Sequence, residues 1–363
     1  MHLLILGRGE GTATPDGHQV QGFRMYANEL RERLGITFDL REARTPEAIE
    51  REASQPGERT PDAVVILPHW GDEAEALRAT LGRVRDATGA KLVLLDYYAP
   101  TSSPHFGLLP DIDLYIKRQT LRDQEAYFDP PPSGFVYSDF VERTWGFDLD
   151  GWSFGSVPAR EHVRKLVSGW NLGVAFRYRK LLGLTRRLSI PQRLRPIAIN
   201  RRVGTINRVG KTEWYQFSRG KLIEAVEPVT SRVLSTGLGR VPSRRYYAEL
   251  AASRLTLSPF GWGEVCFRDY EAVALGSVLV KPDMSHLETS PDIYVAGETY
   301  APMRWDFADA AEVCGALLAD AGERRRLARN ASDAMHAYFE RGGFVGDIER
   351  TIGRLAARPM PAG

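Results

Sequence analysis

An arginine and a glutamate three residues apart, Arg268 and Glu271, follow a glycine-containing loop in the second half of the chain. Residues at positions i and i+3 share a helix face, and the apolar residues around this pair have helical spacing. A guanidinium binds phosphate oxygens through paired hydrogen bonds, and a carboxylate accepts from hydroxyl groups such as those of ribose. The alternative is an ordinary surface ion pair, which is common on helices. The two residues are therefore a candidate site for a phosphorylated, hydroxyl-bearing ligand.

Two predicted strands enclose this pair. LTLSP at 255–259 and SVLVKP at 277–282 are continuous apolar runs, typical of strands that are covered on both faces. Between them, Gly261 and Gly263 would let the backbone approach a ligand closely. A helix that begins near Val265 would direct its free N–H groups into the same crevice. The sequence thus predicts an anion site at the end of a parallel sheet.

The run FGWGEVCFRDYEAVALGSVLVKPDMSHLE, residues 260–288, resembles the donor-binding region of GT-B glycosyltransferases, closest to the exostosin-like families and the family 1-type donor domain. The resemblance implies that Glu271 contacts the ribose of a nucleotide and Arg268 its phosphates. Related enzymes also place a cation in the first loops of this domain, and the candidates here are Arg201, Arg202, Arg208, Lys211 and Arg219. The implied donor-binding residues are Gly261, Gly263, Glu264, Arg268, Glu271, Asp283, His286, Arg202 and Lys211.

The order of predicted elements fits this resemblance. Strands and helices alternate in both halves of the 363 residues, which indicates doubly wound parallel sheets. The predicted elements include a helix at 22–34 and strands at 113–118 (DLYIKR) and 231–236 (SRVLST). We therefore expect an α/β protein with two Rossmann-like domains facing across a cleft, the GT-B plan. The expected boundaries are an acceptor domain at 1–158, a basic linker at 159–195, a donor domain at 196–340, and a C-terminal helix and tail at 341–363.

The expected activity is transfer of a sugar from a nucleotide-sugar donor to a carbohydrate or lipid-linked acceptor in bacterial glycan synthesis. Many retaining relatives carry a second glutamate eight residues before the first, where this chain has Gly263, so the sequence favours inversion. Inversion needs a base for the acceptor hydroxyl, and His69 and Asp96 follow predicted strands at the edge where such sheets bind ligands. Gly9, Glu10 and His105 lie on neighbouring loops and are expected on the acceptor side.

No metal or other cofactor is expected. The D-x-D tripeptides at 111–113 and 148–150 are too short to indicate a metal site, and G-x-G-x-G after the first strand lacks the spacing of a dinucleotide fingerprint. Helix N-termini and arginines would then offset the charge of the leaving group. Two alternatives stay open: a noncatalytic relative that binds a sugar nucleotide or a partner protein, and a sugar-nucleotide epimerase.

Composition and charge limit the choice of partners. The chain is 43% hydrophobic and 26% charged, and it has no apolar run of membrane-spanning length and no basic start typical of a signal peptide, so we expect a cytoplasmic protein. Its net charge of +2 gives no reason to expect a nucleic-acid partner. Residues 160–195 are strongly basic, with interleaved aromatic and leucine residues. This stretch would either face a phosphate-binding cleft or lie peripherally on the inner face of a membrane.

Overall fold

The computed structural model describes residues 1–7, 15–57, 59–188, 190–204 and 213–356. The strands are β1 (His2–Gly7), β2 (Thr37–Glu42), β3 (Ala63–Ile66), β4 (Lys91–Asp96), β5 (Leu114–Lys117), β6 (Gln119–Leu121), β7 (Leu166–Ser168), β8 (Ile197–Asn200), β9 (Ser253–Leu257), β10 (Val278–Pro282), β11 (Leu287–Thr289) and β12 (Ala301–Met303). The α-helices are α1 (Pro15–Met25), α2 (Ala27–Leu34), α3 (Pro46–Ser54), α4 (Ala74–Thr88), α5 (Val136–Trp145), α6 (Phe176–Leu188), α7 (Trp214–Thr230), α8 (Ser243–Ala252), α9 (Phe267–Ala274), α10 (Ala310–Ala319), α11 (Ala321–Glu340) and α12 (Gly343–Arg350).

The first sheet contains six parallel strands in the order β2-β1-β3-β4-β5-β7. Every residue of β1 and β3 is buried, because helices cover both faces of the sheet. The strand order reverses between β1 and β3, and open parallel sheets bind ligands beyond the carboxyl ends of the strands at such a point. The loops after β3 and β4 lie at this edge.

The second sheet contains four parallel strands in the order β12-β10-β9-β8. Its core includes Ile199, Leu255 and Val280, all fully buried, with α7 and α10 packed beside them. The predicted strand SRVLST at 231–236 is wrong, since this segment makes only a single bridge, between Ile199 and Ser235. The predicted helix at 22–34 is also two helices, α1 and α2, separated at Tyr26.

The segment 159–195, which the sequence predicts as a linker, is structurally part of both halves. Its strand β7 pairs with β5 at the edge of the first sheet. Its helix α6 packs against α9 of the second half. Trp170, between these two elements, is fully buried against Phe23 and Phe344. Trp170, Leu172 and Leu182 of the basic stretch therefore fill an interior instead of lying free in a connection.

The two halves are joined by main-chain hydrogen bonds. Strand β6, next to the first sheet, pairs with β11 of the second half in an antiparallel two-stranded sheet. Arg122 donates to the carbonyl oxygens of Ser285 and Leu287 across the same junction. At the C-terminus α12 returns to the first half, where Phe344 packs on Phe23 and Tyr26. The halves thus meet through a continuous, packed interface.

Candidate active site

A cavity of about 550 Å³ opens beyond the carboxyl ends of β8 and β9 in the second half. Its walls come from the loops after these strands and from α7, α8 and α9. The residues that line it are Arg202, Gly204, Tyr215, Gln216, Arg219, Gly239, Arg240, Val241, Tyr246, Trp262 and Arg268. Four of these are arginines and none is acidic. We call this space the arginine cavity.

Arg219 and Arg268 face the arginine cavity, and neither has a counter-ion among the residues that the structure describes. The Nε atom of each is buried and has no hydrogen-bond partner within the described part of the chain. Arg268 makes one long contact, from Nη1 to Ser258 Oγ at 3.5 Å. Burial, together with the positive charge of Arg268, lowers the pKa of Arg219. Two neighbouring guanidinium groups that lack a carboxylate form a site for a ligand with more than one negative charge.

The other two arginines of this cavity differ in their surroundings. Arg202 is buried and forms a bidentate pair with Glu249, from Nε at 2.7 Å and from Nη2 at 3.0 Å, so its charge is already balanced. This pairing raises the pKa of Arg202 and lowers that of Glu249. Arg240 is exposed at the rim. Of Arg202 and Lys211, both predicted at the donor site, Arg202 therefore lines the cavity, but its charge is balanced by Glu249. Lys211 lies outside the described residues.

Glu271 lies behind the wall of the arginine cavity and is 6% exposed. Its carboxylate accepts from Tyr246 Oη at 2.8 Å, from Tyr247 Oη at 3.1 Å and from Arg177 Nη2 at 3.0 Å. The alternative of a surface pair with Arg268 is wrong, since Glu271 is buried and its cation is Arg177. A carboxylate has about four acceptor positions, so one is left for a ligand hydroxyl.

The glycines of the loop after β9 make room for protein groups. A Cβ on Gly263 would lie 2.1 Å from the carbonyl oxygen of Ala99, so Gly263 allows the two halves to touch here. A Cβ on Gly261 would lie 3.2 Å from Nη2 of Arg219, so Gly261 gives this guanidinium its space. The expectation that both glycines approach a ligand is thus corrected for Gly263, whose neighbour is the Ala99 backbone.

Glu264, also predicted at the donor site, lies inside the junction of the halves. It is 1% exposed and accepts from Thr101 Oγ1 at 2.9 Å. Burial raises the pKa of its carboxyl group. Helix α9 begins nearby. The sequence predicts free N–H groups at this helix start, but the backbone N–H of Cys266 donates to the side chain of Asp269 in this helix at 2.9 Å and is therefore not available to a ligand.

Asp283 and His286, predicted to close the donor site, lie in the loop between β10 and β11. Asp283 accepts from the Ser285 side chain and, at 3.5 Å, from Tyr300 Oη. The ring of His286 packs against Trp305, and burial lowers its pKa to about 4. Neither residue lines the arginine cavity. The structure therefore does not bring them together with Arg219 and Arg268.

A second cavity, of about 580 Å³, opens beyond the carboxyl end of β4. Six of its ten lining residues are aromatic, and we call it the aromatic cavity. The lining residues are Pro15, Trp70, Tyr97, Tyr98, Ala99, Arg118, Trp152, Ser153, Phe154 and Trp262. Trp262 lines this cavity and the arginine cavity alike. An anion site in one half and an aromatic site in the other thus share a wall.

The predicted bases differ in accessibility. Asp96 is fully buried, where Oδ2 accepts from Lys117 Nζ at 3.1 Å and from Tyr115 Oη at 2.7 Å. His105 is also fully buried, and its Nε2 lies 3.0 Å from the Asp72 carbonyl oxygen. These two side chains stabilise the interior, and the expected roles of Asp96 as base and of His105 on the acceptor side do not fit their burial. His69 is half-buried beside Trp70, a residue of the aromatic cavity.

Among the residues that line the cavities, the sequence analysis did not identify Arg118, Trp152 and Trp262, and it did not identify His18, which lies between the halves. The ring of His18 is buried and packs against Phe267 at 5.1 Å. Burial, then Arg177 and Arg118, lowers its pKa to about 4. A signal existed for Arg118, which is the last residue of the predicted strand at 113–118. Gly9 and Glu10 lie outside the described residues.

The basic helix α6 divides its charges between two environments. Arg177 points inward to Glu271, and Tyr178 and Leu182 of the same helix are buried. Arg179 and Lys180 are exposed, together with Phe176 and Leu184. Arg177 thus belongs to the interior, whereas Arg179 and Lys180 lie on the surface. None of the helices in the described ranges is long and apolar enough to cross a membrane.

Within the described ranges, no group of three or more His, Cys, Asp and Glu residues is arranged to hold a metal ion. The first D-x-D tripeptide precedes β5, at the sheet edge opposite the cavities. Asp111 pairs there with Arg78 at 2.8 Å, and Asp113 with Arg85 at 3.1 Å.

Comparison with known proteins found similar structures but no similar sequences. No family model matches the sequence. No curated protein matches it either. An alpha-glucosyltransferase in complex with UDP is similar in structure, with 10% identity, a TM-score of 0.54, and coverage of 95% of this chain and 100% of the other. An alpha-glucosyltransferase in complex with UDP-glucose and DNA containing an abasic site has 8% identity and a TM-score of 0.53, with coverage of 95% of this chain and 99% of the other. The alpha,alpha-trehalose 6-phosphate synthase of Burkholderia multivorans has 12% identity and a TM-score of 0.52, with coverage of 100% of this chain and 99% of the other.

These similarities extend over nearly the full length of each compared chain. The compared structures are GT-B glycosyltransferases, and the parallel α/β architecture of both halves matches theirs. The fold predicted from the sequence is confirmed: the chain has the GT-B fold.

Proposed function

We propose that this protein is a glycosyltransferase that moves a sugar from a nucleotide-sugar donor, a nucleoside diphosphate sugar, to a carbohydrate or lipid-linked acceptor. One observation carries the proposal: Arg219 and Arg268 stand side by side in a cavity at the carboxyl edge of the second sheet, and no residue of the described ranges is a counter-ion to either. The diphosphate of such a donor carries the negative charge that would balance these two guanidinium groups. The fold is the one in which the compared glycosyltransferases bind UDP or UDP-glucose.

The same two arginines would stabilise the reaction. When the bond between the sugar and the diphosphate breaks, negative charge develops on the departing phosphate oxygens. Preformed cationic donors at that point lower the barrier, because they require no rearrangement during the reaction. We propose that Arg219 and Arg268 perform this role in place of a divalent metal.

The nucleoside would lie along the wall formed by α8 and α9. Tyr246 lines the arginine cavity and donates to Glu271, so a ribose at this wall lies next to the remaining acceptor position of the carboxylate. The motif similarity to exostosin-like enzymes supports the same role for Glu271. Arg177 and Tyr247 hold this carboxylate in place from its other side.

The acceptor would enter the aromatic cavity, which shares Trp262 with the donor site. His69, next to Trp70 at its edge, is the proposed base for attack with inversion. We propose a saccharide acceptor and not nucleic acid, because the excess of basic residues is local, at 160–195, and the rest of the chain balances it to a net charge of +2.

Calorimetric titration of UDP, GDP, ADP and TDP, each beside its monophosphate, tests the donor site. We expect one diphosphate to bind at least tenfold more tightly than its monophosphate, with or without a chelator. Arg219→Gln should remove this difference. Arg326→Gln, which alters an exposed arginine paired with Glu323 on α11, is the control and should preserve it.

Incubation with the matching nucleotide sugars then tests for turnover. Release of the nucleotide in the presence of saccharide acceptors, with a new glycosidic product, is expected. Binding without release would indicate a noncatalytic protein, and interconversion of the sugar nucleotide an epimerase. If no diphosphate binds, or if Arg219→Gln binds as the parent does, the proposal is wrong.

A further inference from the structure

Among the described residues that line the aromatic cavity, one is a cation and most are apolar. This cation is Arg118, which follows β5 directly and is 2% exposed. Its Nε donates to Asn171 Oδ1 at 3.1 Å and its Nη1 to the Tyr97 carbonyl oxygen at 3.3 Å. Its Nη2 is buried and has no partner among residues that the structure describes. The side chain is thus fixed by two neutral acceptors and keeps one donor group unused.

No carboxylate of the described chain balances this charge. The nearby Asp96 is bound by the adjacent Lys117, with both side chains fully buried. Burial takes the guanidinium out of water, which disfavours its charged form and lowers the pKa of Arg118. A buried, unpaired guanidinium costs stability, and an anion that reaches it removes this cost while gaining a charge-assisted hydrogen bond. The unused Nη2 therefore marks an anion position inside the aromatic cavity.

The remainder of the cavity suits a sugar ring. Flat aromatic side chains offer large apolar surfaces to the C–H face of a pyranose, and tyrosine and tryptophan add polar edges for hydroxyl groups. Trp70 is 60% exposed at the opening, where a large apolar side chain is costly unless a ligand covers it. The volume of about 580 Å³ lies within the usual range of small-molecule sites.

We infer that the acceptor is a saccharide that carries an anionic group, either a carboxylate or a phosphate, and that Arg118 binds this group through Nη2 while the aromatic side chains hold the ring. The inference rests on the proposed function, because it identifies this cavity as the acceptor site. It assigns Arg118 as the residue that selects charged acceptors over neutral ones.

Tryptophan fluorescence tests the inference without a donor, since Trp70, Trp152 and Trp262 line the cavity. The parent protein is titrated with a neutral hexose, the matching hexuronate and the matching hexose 6-phosphate, in the gluco and galacto series. We expect at least one charged sugar to bind tenfold or more tightly than its neutral counterpart. The hexuronate and the hexose phosphate distinguish a carboxylate from a phosphate as the preferred group.

Two variants assign the preference to Arg118. Arg118→Gln should bind charged and neutral sugars alike, with the neutral affinity changed by less than about threefold. Ser153→Asp places a carboxylate in the same cavity from an exposed position, so it tests the charge effect even if Arg118→Gln fails to fold. It should weaken binding of the charged sugars at least tenfold and leave the neutral hexose nearly unaffected.

Arg268→Gln is the matched control, because it removes a guanidinium from the arginine cavity and should keep the preference for charged sugars. Equal binding of charged and neutral sugars by the parent, binding of neither, or loss of the preference in Arg268→Gln but not in the aromatic-cavity variants would each overturn the inference. The nucleotide titrations decide the proposed function separately. If nucleotides bind at Arg219 while charged sugars show no preference, this inference alone fails.

Discussion

Replacing Arg268 by glutamine should change two properties in opposite directions. In the absence of ligand, the free energy of unfolding should rise, because Arg268 repels Arg219 and, among the described residues, makes only one long hydrogen bond, at 3.5 Å to Ser258. In the presence of nucleotide, affinity should fall, because a phosphate ligand is lost. A residue that serves folding would not show this pair of effects, since its removal lowers stability.

The magnitudes follow from the surroundings of the two arginines. Two unit charges at about 4 Å repel by ~4 kcal/mol at an effective dielectric constant of ~20, and by half of that at twice the separation. Solvent at the mouth of the cavity favours the lower figure, and the lost contact to Ser258 offsets a part of it. We expect a net stabilisation of about 1 kcal/mol. A hydrogen bond between charged groups contributes about 1.5–3 kcal/mol, so the dissociation constant should rise roughly 10- to 150-fold.

Urea denaturation of the ligand-free protein and calorimetric titration of the nucleotide measure the two effects. Arg202→Gln is an informative comparison within the same cavity. Arg202 forms a bidentate pair with Glu249, so its removal takes two charge-assisted hydrogen bonds from a largely buried carboxylate and leaves it the exposed Arg245 at 2.8 Å, which should destabilise the protein by about 2 kcal/mol. A destabilised Arg268→Gln with unchanged nucleotide affinity would refute the interpretation of the cavity as an anion site.

Four further changes test other parts of the site. Glu271→Gln should weaken nucleotide binding by about 1.5–3 kcal/mol in calorimetry with an unaltered circular dichroism spectrum, and an unchanged affinity would remove this carboxylate from the ribose site. His286, whose pKa burial lowers from 6.5 to about 4, stays neutral in the folded protein. Its unfolded form takes up a proton as pH falls below about 6.5, so stability is lost towards pH 4, and His286→Gln should reduce the loss between pH 7.5 and 5 by about 2 kcal/mol in urea titrations. His69→Gln should lower kcat by about 100-fold or more while nucleotide affinity is kept, and full activity would exclude this residue as the base. Replacing exposed Arg179 and Lys180 by glutamine should release the protein from anionic vesicles at low salt, at roughly 1 kcal/mol for each charge, and a parent that does not sediment with such vesicles contradicts membrane contact.

The fold was predictable because its signals are local. Continuous apolar runs such as those of β1, β4 and β10 identify buried parallel strands, and their alternation with helices identifies the sheet type. Strand β7 was missed because its three residues lie in a basic stretch where no periodicity stands out. Helix α5 was missed because its buried face, which includes Tyr137, packs on the aromatic residues of a distant helix, α7.

The candidate site was predictable only in part. Arg268 lies on the helix that the sequence indicates and faces the arginine cavity. Asp96 satisfies the same positional rule at the end of a strand, and its burial follows from Lys117 on a neighbouring strand, which no local pattern reveals. Gly263 is similar, because its close contact is the Ala99 backbone of the other half. Pairings between distant segments decide whether a polar residue binds a ligand or stabilises the interior.

The pairing of β6 with β11 also determines how the chain can be divided. Expressing either half alone would expose a strand edge with unpaired N–H and C=O groups, and such edges promote aggregation. A fragment that ends near residue 340 would also uncover the aromatic surface that Phe344 covers on Phe23, Tyr26 and Trp170. Two Rossmann-like sheets are usually considered separable modules. Here the pairing of β6 with β11 and the return of α12 to the first half join the two sheets, so we expect the protein to unfold in a single calorimetric transition.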